Sequence, residues 1–107
     1  PARAAALGVP DARTDWRRAL DIHRPDIVAL ATPAALRRDV IADAASRGCH
    51  LLCEKPLATY GEEAAALWRI VDQAGVRHAF AATRWYEPSV AWLAELVAEG
   101  RIGAVQE

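Results

Sequence analysis

Methionine is absent from this chain of 107 residues, and lysine nearly so: of 13 basic residues only Lys55 is a lysine, the others being arginine. The missing methionine predicts that Pro1 is not where the gene product begins and that the chain is a segment of a longer protein. Heavy use of alanine and arginine at the expense of lysine reads as a coding bias, which makes one retained amine informative. Arginine keeps its proton under ordinary conditions, whereas a lysine amine gives it up readily once buried. No apolar run approaches the roughly 18 residues of a membrane span, and the N-terminus carries no signal-peptide core. A net charge of −1 leaves no basic surface for nucleic acid or for a polybasic membrane contact. The expected setting is cytoplasmic, with neither nucleic acid nor membrane as a partner.

Cysteine is scarce too. Cys49 and Cys53 are the only two, and on a strand rising roughly 3.3 Å per residue their Cα atoms stand about 13 Å apart, beyond disulfide reach. With His50 they fall short of the four ligands of a closed zinc site, so no metal centre is expected. Buried thiols in a reducing compartment are the better reading. His23, His50 and His78 are scattered without ligand spacing and read as structural.

What is present is a 53% hydrophobic chain, enough for one domain with a modest core. Pro1–Leu7 is alanine-rich and ends at Gly8, the pattern of a helix with a glycine stop. Asp15 is placed to cap a short helix carrying Trp16, Ala19 and Leu20. Ile27–Ala31 is a continuous apolar run closed by Thr32-Pro33, which predicts a strand buried on both faces. The period then changes. Leu36, Val40, Ile41 and Ala44 share one helical face, and Arg37, Arg38, Asp39, Asp43 and Arg47 cover the other. Asp43 and Arg47 form an i,i+4 pair, and Gly48 stops the helix.

His50–Cys53 is a second strand, closed by Glu54-Lys55-Pro56. Thr59-Tyr60-Gly61-Glu62 reads as a capping box. It opens a helix that buries Ala64, Leu67, Trp68 and Val71 and ends at Gly75. Val76–Thr83 is a third strand candidate. Pro88 suits the first turn of a last helix, with Val90, Leu93, Leu96 and Val97 on its apolar side and Gly100 at its end. Strands alternating with helices predict right-handed crossovers and an α/β fold with a parallel sheet.

In such a sheet the carboxyl ends of all strands share one edge, and ligands bind in the crevice there. Thr32-Pro33, Glu54-Lys55-Pro56 and Thr83-Arg84 are thereby expected at one rim. The Lys55 amine and the Arg84 guanidinium suit a phosphate, a sugar hydroxyl or a carboxylate, and Glu54 is placed to hold Lys55 or tune its charge.

Two stretches have a recognisable pattern: Asp26-Ile27-Val28-Ala29-Leu30-Ala31-Thr32-Pro33, and Ala45 to Ala58 with its Cys53-Glu54-Lys55-Pro56 centre. Together with Arg84…Pro88 and Glu99-Gly100-Arg101-Ile102-Gly103, they resemble the glucose–fructose oxidoreductase and inositol dehydrogenase family (Gfo/Idh/MocA). The resemblance implies an incomplete Rossmann-type, doubly wound parallel sheet. It implies an oxidoreductase using NAD or NADP to pass a hydride between the nicotinamide and a carbon of a sugar, cyclitol or related polyol. Residues 1–84 would be part of the dinucleotide-binding domain. Residues 85–107 would be a connecting helix and the start of a C-terminal substrate and oligomer domain, so the whole protein is expected to be a homo-oligomer.

In family terms Lys55 is the catalytic residue, orienting the substrate hydroxyl and the nicotinamide ribose and assisting proton movement. Glu54 supports it, and Pro56 often follows a cis bond. Ala31, Thr32 and Pro33 would lie along the cofactor, with Arg84 near it. The chemistry agrees independently, because hydride loss from an alcohol carbon requires the hydroxyl proton to leave, and a nearby base and a fixed positive charge both lower that barrier.

Departures are equally informative. The family commonly has a histidine where Arg37 stands, four residues after the Thr-Pro proline, and the Arg84-to-Pro88 spacing is one residue longer than in many members. The glycine-rich first turn that seats the pyrophosphate on a helix N-terminus is not among these residues. Neither is an Asp-x-x-x-His pair of the second domain, nor the strand end that selects NAD or NADP. The segment alone is therefore expected neither to bind NAD tightly nor to catalyse. Two other readings stay open: an NAD-dependent glycoside hydrolase of the same fold, and a non-catalytic dinucleotide-binding relative. Trp85, Tyr86 and Trp92 belong either to a surface that another domain covers or to ordinary helix packing.

Overall fold

The computed structural model describes residues 2–106; Pro1, the first residue of the expected N-terminal helix, and Glu107 lie outside them. The helices are α1 (Ala2–Ala6), α2 (Trp16–His23), α3 (Arg38–Ser46), α4 (Gly61–Gln73) and α5 (Pro88–Ala98). The strands are β1 (Ile27–Leu30), β2 (His50–Cys53) and β3 (His78–Phe80). Single 3-10 turns at Ala34–Leu36 and Thr83–Tyr86 follow β1 and β3. The sheet runs β1-β2-β3, parallel throughout, with Val28 opposite Leu51 and Leu30 opposite Cys53. This is the α/β architecture that the alternating pattern predicts.

Local signals explain most element ends. The Asp15 carboxylate accepts from the Arg18 backbone N–H at 3.1 Å and caps α2. Gly48 and Gly75 take positive φ angles of 79° and 66° just past α3 and α4, conformations that a Cβ disfavours. Pro88 occupies the first turn of α5, where a missing N–H costs nothing.

The register puts Val28, Leu30, Leu51 and Cys53 on one face of the sheet, and α3 packs there between α2 and α4. Leu30, Ile41, Ala44, Ala45, Leu51, Cys53, Leu67 and Val71 make the buried core. Two ion pairs join α2 to α3, Arg17 to Asp43 at 2.9 Å and Arg47 to Asp21 at 3.0 Å. The i,i+4 pair within α3 is looser, because Arg47 reaches Asp43 only at 3.9 Å. An apolar cavity of about 260 Å³ remains between β2, β3 and α4, where Trp68 meets His78 edge-on at 4.5 Å between ring centroids.

Several expectations are corrected. The strands are not buried on both faces: Ile27 is 62% and Leu52 44% exposed, on the face opposite α3. No described helix packs on that face closely enough to bury it. Leu36 is 65% exposed because it sits in the 3-10 turn, whose tighter winding takes it off the α3 face. The expected capping box of Thr59 and Glu62 does not form. Tyr60 is the N-cap of α4 with no side-chain cap bond, and it is the Glu63 carboxylate that accepts from the Thr59 N–H, at 3.1 Å. Trp68 is 55% exposed rather than buried. The third strand is shorter than expected, since Ala82 N–H turns back to Phe80 O at 2.8 Å and begins the second 3-10 turn. Among the described residues no helix is long and apolar enough to cross a membrane.

Candidate functional site

Each strand of the parallel sheet delivers its outgoing segment to the same edge. Glu54 N–H donates to Leu30 O at 2.9 Å and Ala81 N–H to Cys53 O at 2.8 Å, so each strand end is hydrogen-bonded to the segment leaving its neighbour. The segments that lead to the expected rim residues are thus tied together by backbone before any side chain takes part.

Lys55 is exposed and lies two residues past the end of β2. Together with Arg84, Ala81, Trp85 and Val90 it lines an open depression of about 420 Å³. Among the described residues the Lys55 ammonium takes part in no ion pair. The Glu54 carboxylate instead accepts from the Lys55 backbone N–H at 3.0 Å, so Glu54 holds the main chain of Lys55 rather than its charge. The peptide bond between Lys55 and Pro56 is cis.

Thr32 lies apart from that depression and lines a second one with Trp16, Leu36, Arg38 and Glu63. Ala31 and Pro33 are exposed on either side of Thr32. The two groups of rim residues are joined by a side chain that sequence reasoning assigned to the solvated face of α3. Arg37 is only 2% exposed. Its Nε donates to Thr32 O at 2.6 Å, and its Nη1 donates to Glu54 O and, at 2.5 Å, to Pro56 O.

The physical reason lies in the backbone on both sides. Arg37 ends the 3-10 turn and caps α3, with its N–H on Ala34 O and its own carbonyl accepting from Ile41 N–H. That junction turns residue 37 inward where an uninterrupted α-helix would turn it outward. Carbonyls just beyond a strand have lost their ladder partners and are costly to bury unpaired. A guanidinium offers five donors and no acceptor, which suits a group of carbonyls. Burying the cation would be prohibitive without such partners. The available signal was the Arg37 position itself, which lies close behind the Thr32-Pro33 strand end.

Burial also raises the thiol pKa of Cys53 above its ordinary value of 9.0, with the nearby Arg37 cation opposing part of the rise. Both cysteines are free and buried, as their spacing predicts.

The chain matches the family model for an oxidoreductase family with an NAD-binding Rossmann fold, GFO_IDH_MocA, over residues 1–82. It is 34% identical over 102 residues to levoglucosan dehydrogenase from Pseudarthrobacter phenanthrenivorans, covering 95% of this chain and 26% of that protein. It is 38% identical over 108 residues to D-xylose 1-dehydrogenase (NADP(+)) 2 from Haloferax volcanii, covering 97% of this chain and 33% of that protein. Among solved structures, levoglucosan dehydrogenase in complex with NADH and levoglucosan superposes with a TM-score of 0.81 at 35% identity, over 94% of this chain and 27% of that one. The chain therefore spans between a quarter and a third of the length of these relatives, and across that span it belongs to the Gfo/Idh/MocA family of NAD-binding Rossmann-fold oxidoreductases.

Proposed function

We propose that this chain is part of an NAD- or NADP-dependent oxidoreductase that transfers a hydride between nicotinamide and a CH–OH carbon of a sugar, cyclitol or related polyol. The observation that carries the reading is Lys55: an amine in no ion pair among the described residues, lining with Arg84 a depression at the carboxyl edge of a parallel sheet. Levoglucosan dehydrogenase and D-xylose 1-dehydrogenase (NADP(+)) 2, at 34% and 38% identity, support it. Residues 1–84 are proposed as part of the dinucleotide-binding domain, and residues 85–107 as the lead into a substrate domain.

The Lys55 amine and the Arg84 guanidinium, which line one depression, suit the nicotinamide-ribose end of the cofactor, and Ala31, Thr32, Pro33, Glu54 and Pro56 are proposed along the rest of the rim. When bound, the nicotinamide supplies the hydride chemistry. The Lys55 Nζ holds the substrate hydroxyl and moves its proton, and its positive charge favours the oxygen as that proton leaves. Glu54, through the Lys55 N–H, holds the main chain from which the amine extends. Trp85 and Val90 make one side of the depression apolar. A cytoplasmic setting suits the two free thiols, and a homo-oligomer is the proposed assembly of the whole protein.

The test is Lys55→Ala in the whole protein, assayed for nicotinamide-dependent turnover against a panel of sugars and polyols. Turnover falls at least about 100-fold, the scale of a lost acid–base group, while the circular dichroism spectrum is unchanged. Turnover retained by that variant removes Lys55 from the chemistry. Cofactor binding without turnover on any polyol by the wild-type protein overturns the oxidoreductase reading itself.

A further inference from the structure

We propose that Arg37 is a positioning residue for Lys55, acting as a buried clamp that fixes the Glu54-Lys55-Pro56 segment against the end of β1. The proposal rests on the reading of Lys55 as the catalytic residue. Lys55 is bracketed. The carbonyl before it, on Glu54, and the carbonyl after it, on Pro56, both accept from Arg37 Nη1, while Arg37 Nε holds Thr32 O at 2.6 Å. With the Glu54 carboxylate on the Lys55 N–H, the main chain is held on both sides of the residue whose amine lies in the open depression. An exposed, flexible side chain then swings from a fixed origin.

No carboxylate pairs with this buried cation among the described residues. Its compensation is entirely carbonyl dipoles, and those dipoles belong to two different strand ends. The guanidinium therefore couples the Thr32 and Lys55 segments, which line separate depressions and share no other side-chain hydrogen bond among the described residues. A lysine at position 37 presents one compact ammonium with no planar fork, so it cannot serve three carbonyls in the same geometry.

Arg37→Ala and Arg37→Lys, each alone and combined with Lys55→Ala, test the clamp in the whole protein. Misplacing a reacting group by about 1 Å costs roughly 100-fold in rate. Arg37→Ala is expected to lower kcat by about that factor and to leave the KM for the polyol within about threefold. Millimolar guanidinium added to this variant recovers part of the rate. In the Lys55→Ala background the same substitution leaves the residual rate unchanged, because a clamp acting through Lys55 has nothing left to position. Amide hydrogen exchange quickens at Lys55 and Leu57 while the amides of α3 keep their protection. If Arg37→Ala does not fold by circular dichroism, Arg37→Lys is read in the same way, with a smaller loss of kcat. Equal rate losses with and without Lys55, or unchanged exchange at Lys55 and Leu57, overturn the proposal. A wild-type protein without nicotinamide-dependent turnover overturns the hydride-transfer reading instead, and the exchange measurement then decides the clamp alone.

Discussion

Cys53 and Arg37 lie near each other under the same rim, and each shows how burial changes what a residue can do. The Cys53 thiol is raised above its ordinary value of 9.0 chiefly by burial. The folded state therefore keeps a proton that the unfolded state gives up. The stability this contributes is present in full below the ordinary value and is gone once the pH has risen through the raised folded value. Unfolding by urea from pH 7 upward is expected to show wild type losing stability relative to Cys53→Ala as the solution passes that ordinary value; parallel curves would contradict it. Alkylation by iodoacetamide at neutral pH is likewise expected to await unfolding at both buried thiols. For Arg37 the sequence pattern points to the solvated face of a helix, whereas the folded chain buries it. A helical wheel assumes one continuous helix, and a 3-10 turn interrupts it here.

At the scale of elements, α2 and α4 make a controlled pair. The Asp15 side chain caps α2, so Asp15→Ala is expected to cost about 1 kcal/mol in thermal unfolding. Thr59 has the residue type of a cap but not its position, because Tyr60 occupies the N-cap of α4. Thr59→Ala is expected to change stability by less than about 0.5 kcal/mol, as for a surface site without a special role; a loss near that of Asp15→Ala would restore the capping box. In α3, Ile41 is 1% exposed against the sheet. Ile41→Ala is expected to cost about 2–5 kcal/mol through lost burial and the cavity left behind. Where one element's own pattern is enough, as in the Gly48 and Gly75 stops and the Asp15 cap, sequence and structure agree. Where the start of a helix depends on the loop before it, they differ by one residue.

At the scale of the molecule, the radius of gyration is 17.8 Å, larger than the roughly 13 Å of a compact domain of about 100 residues. Neither α1 nor α5 contributes a buried residue, and the face of the sheet opposite α3 leaves Ile27 and Leu52 exposed. Trp85, Tyr86 and Trp92 are exposed as well, so in this chain they are not ordinary packing aromatics. Residues 1–107 on their own are expected to bind a hydrophobic dye and to show no micromolar NAD affinity by calorimetry, since no glycine-rich turn is present among them to seat a pyrophosphate. Micromolar binding would show that the rim suffices. The order of helices and strands, the parallel sheet and the placing of Lys55 and Arg84 beyond its strand ends were legible in the sequence. They follow from local periodicity and from the rule that parallel strands end on one side. Which face of the sheet is covered, how the rim divides into two depressions and what Arg37 holds were decided only by the tertiary structure. Each depends on groups far apart in the chain, Thr32, Arg37 and Pro56 among them, whose hydrogen-bonding needs are met only once the chain has folded.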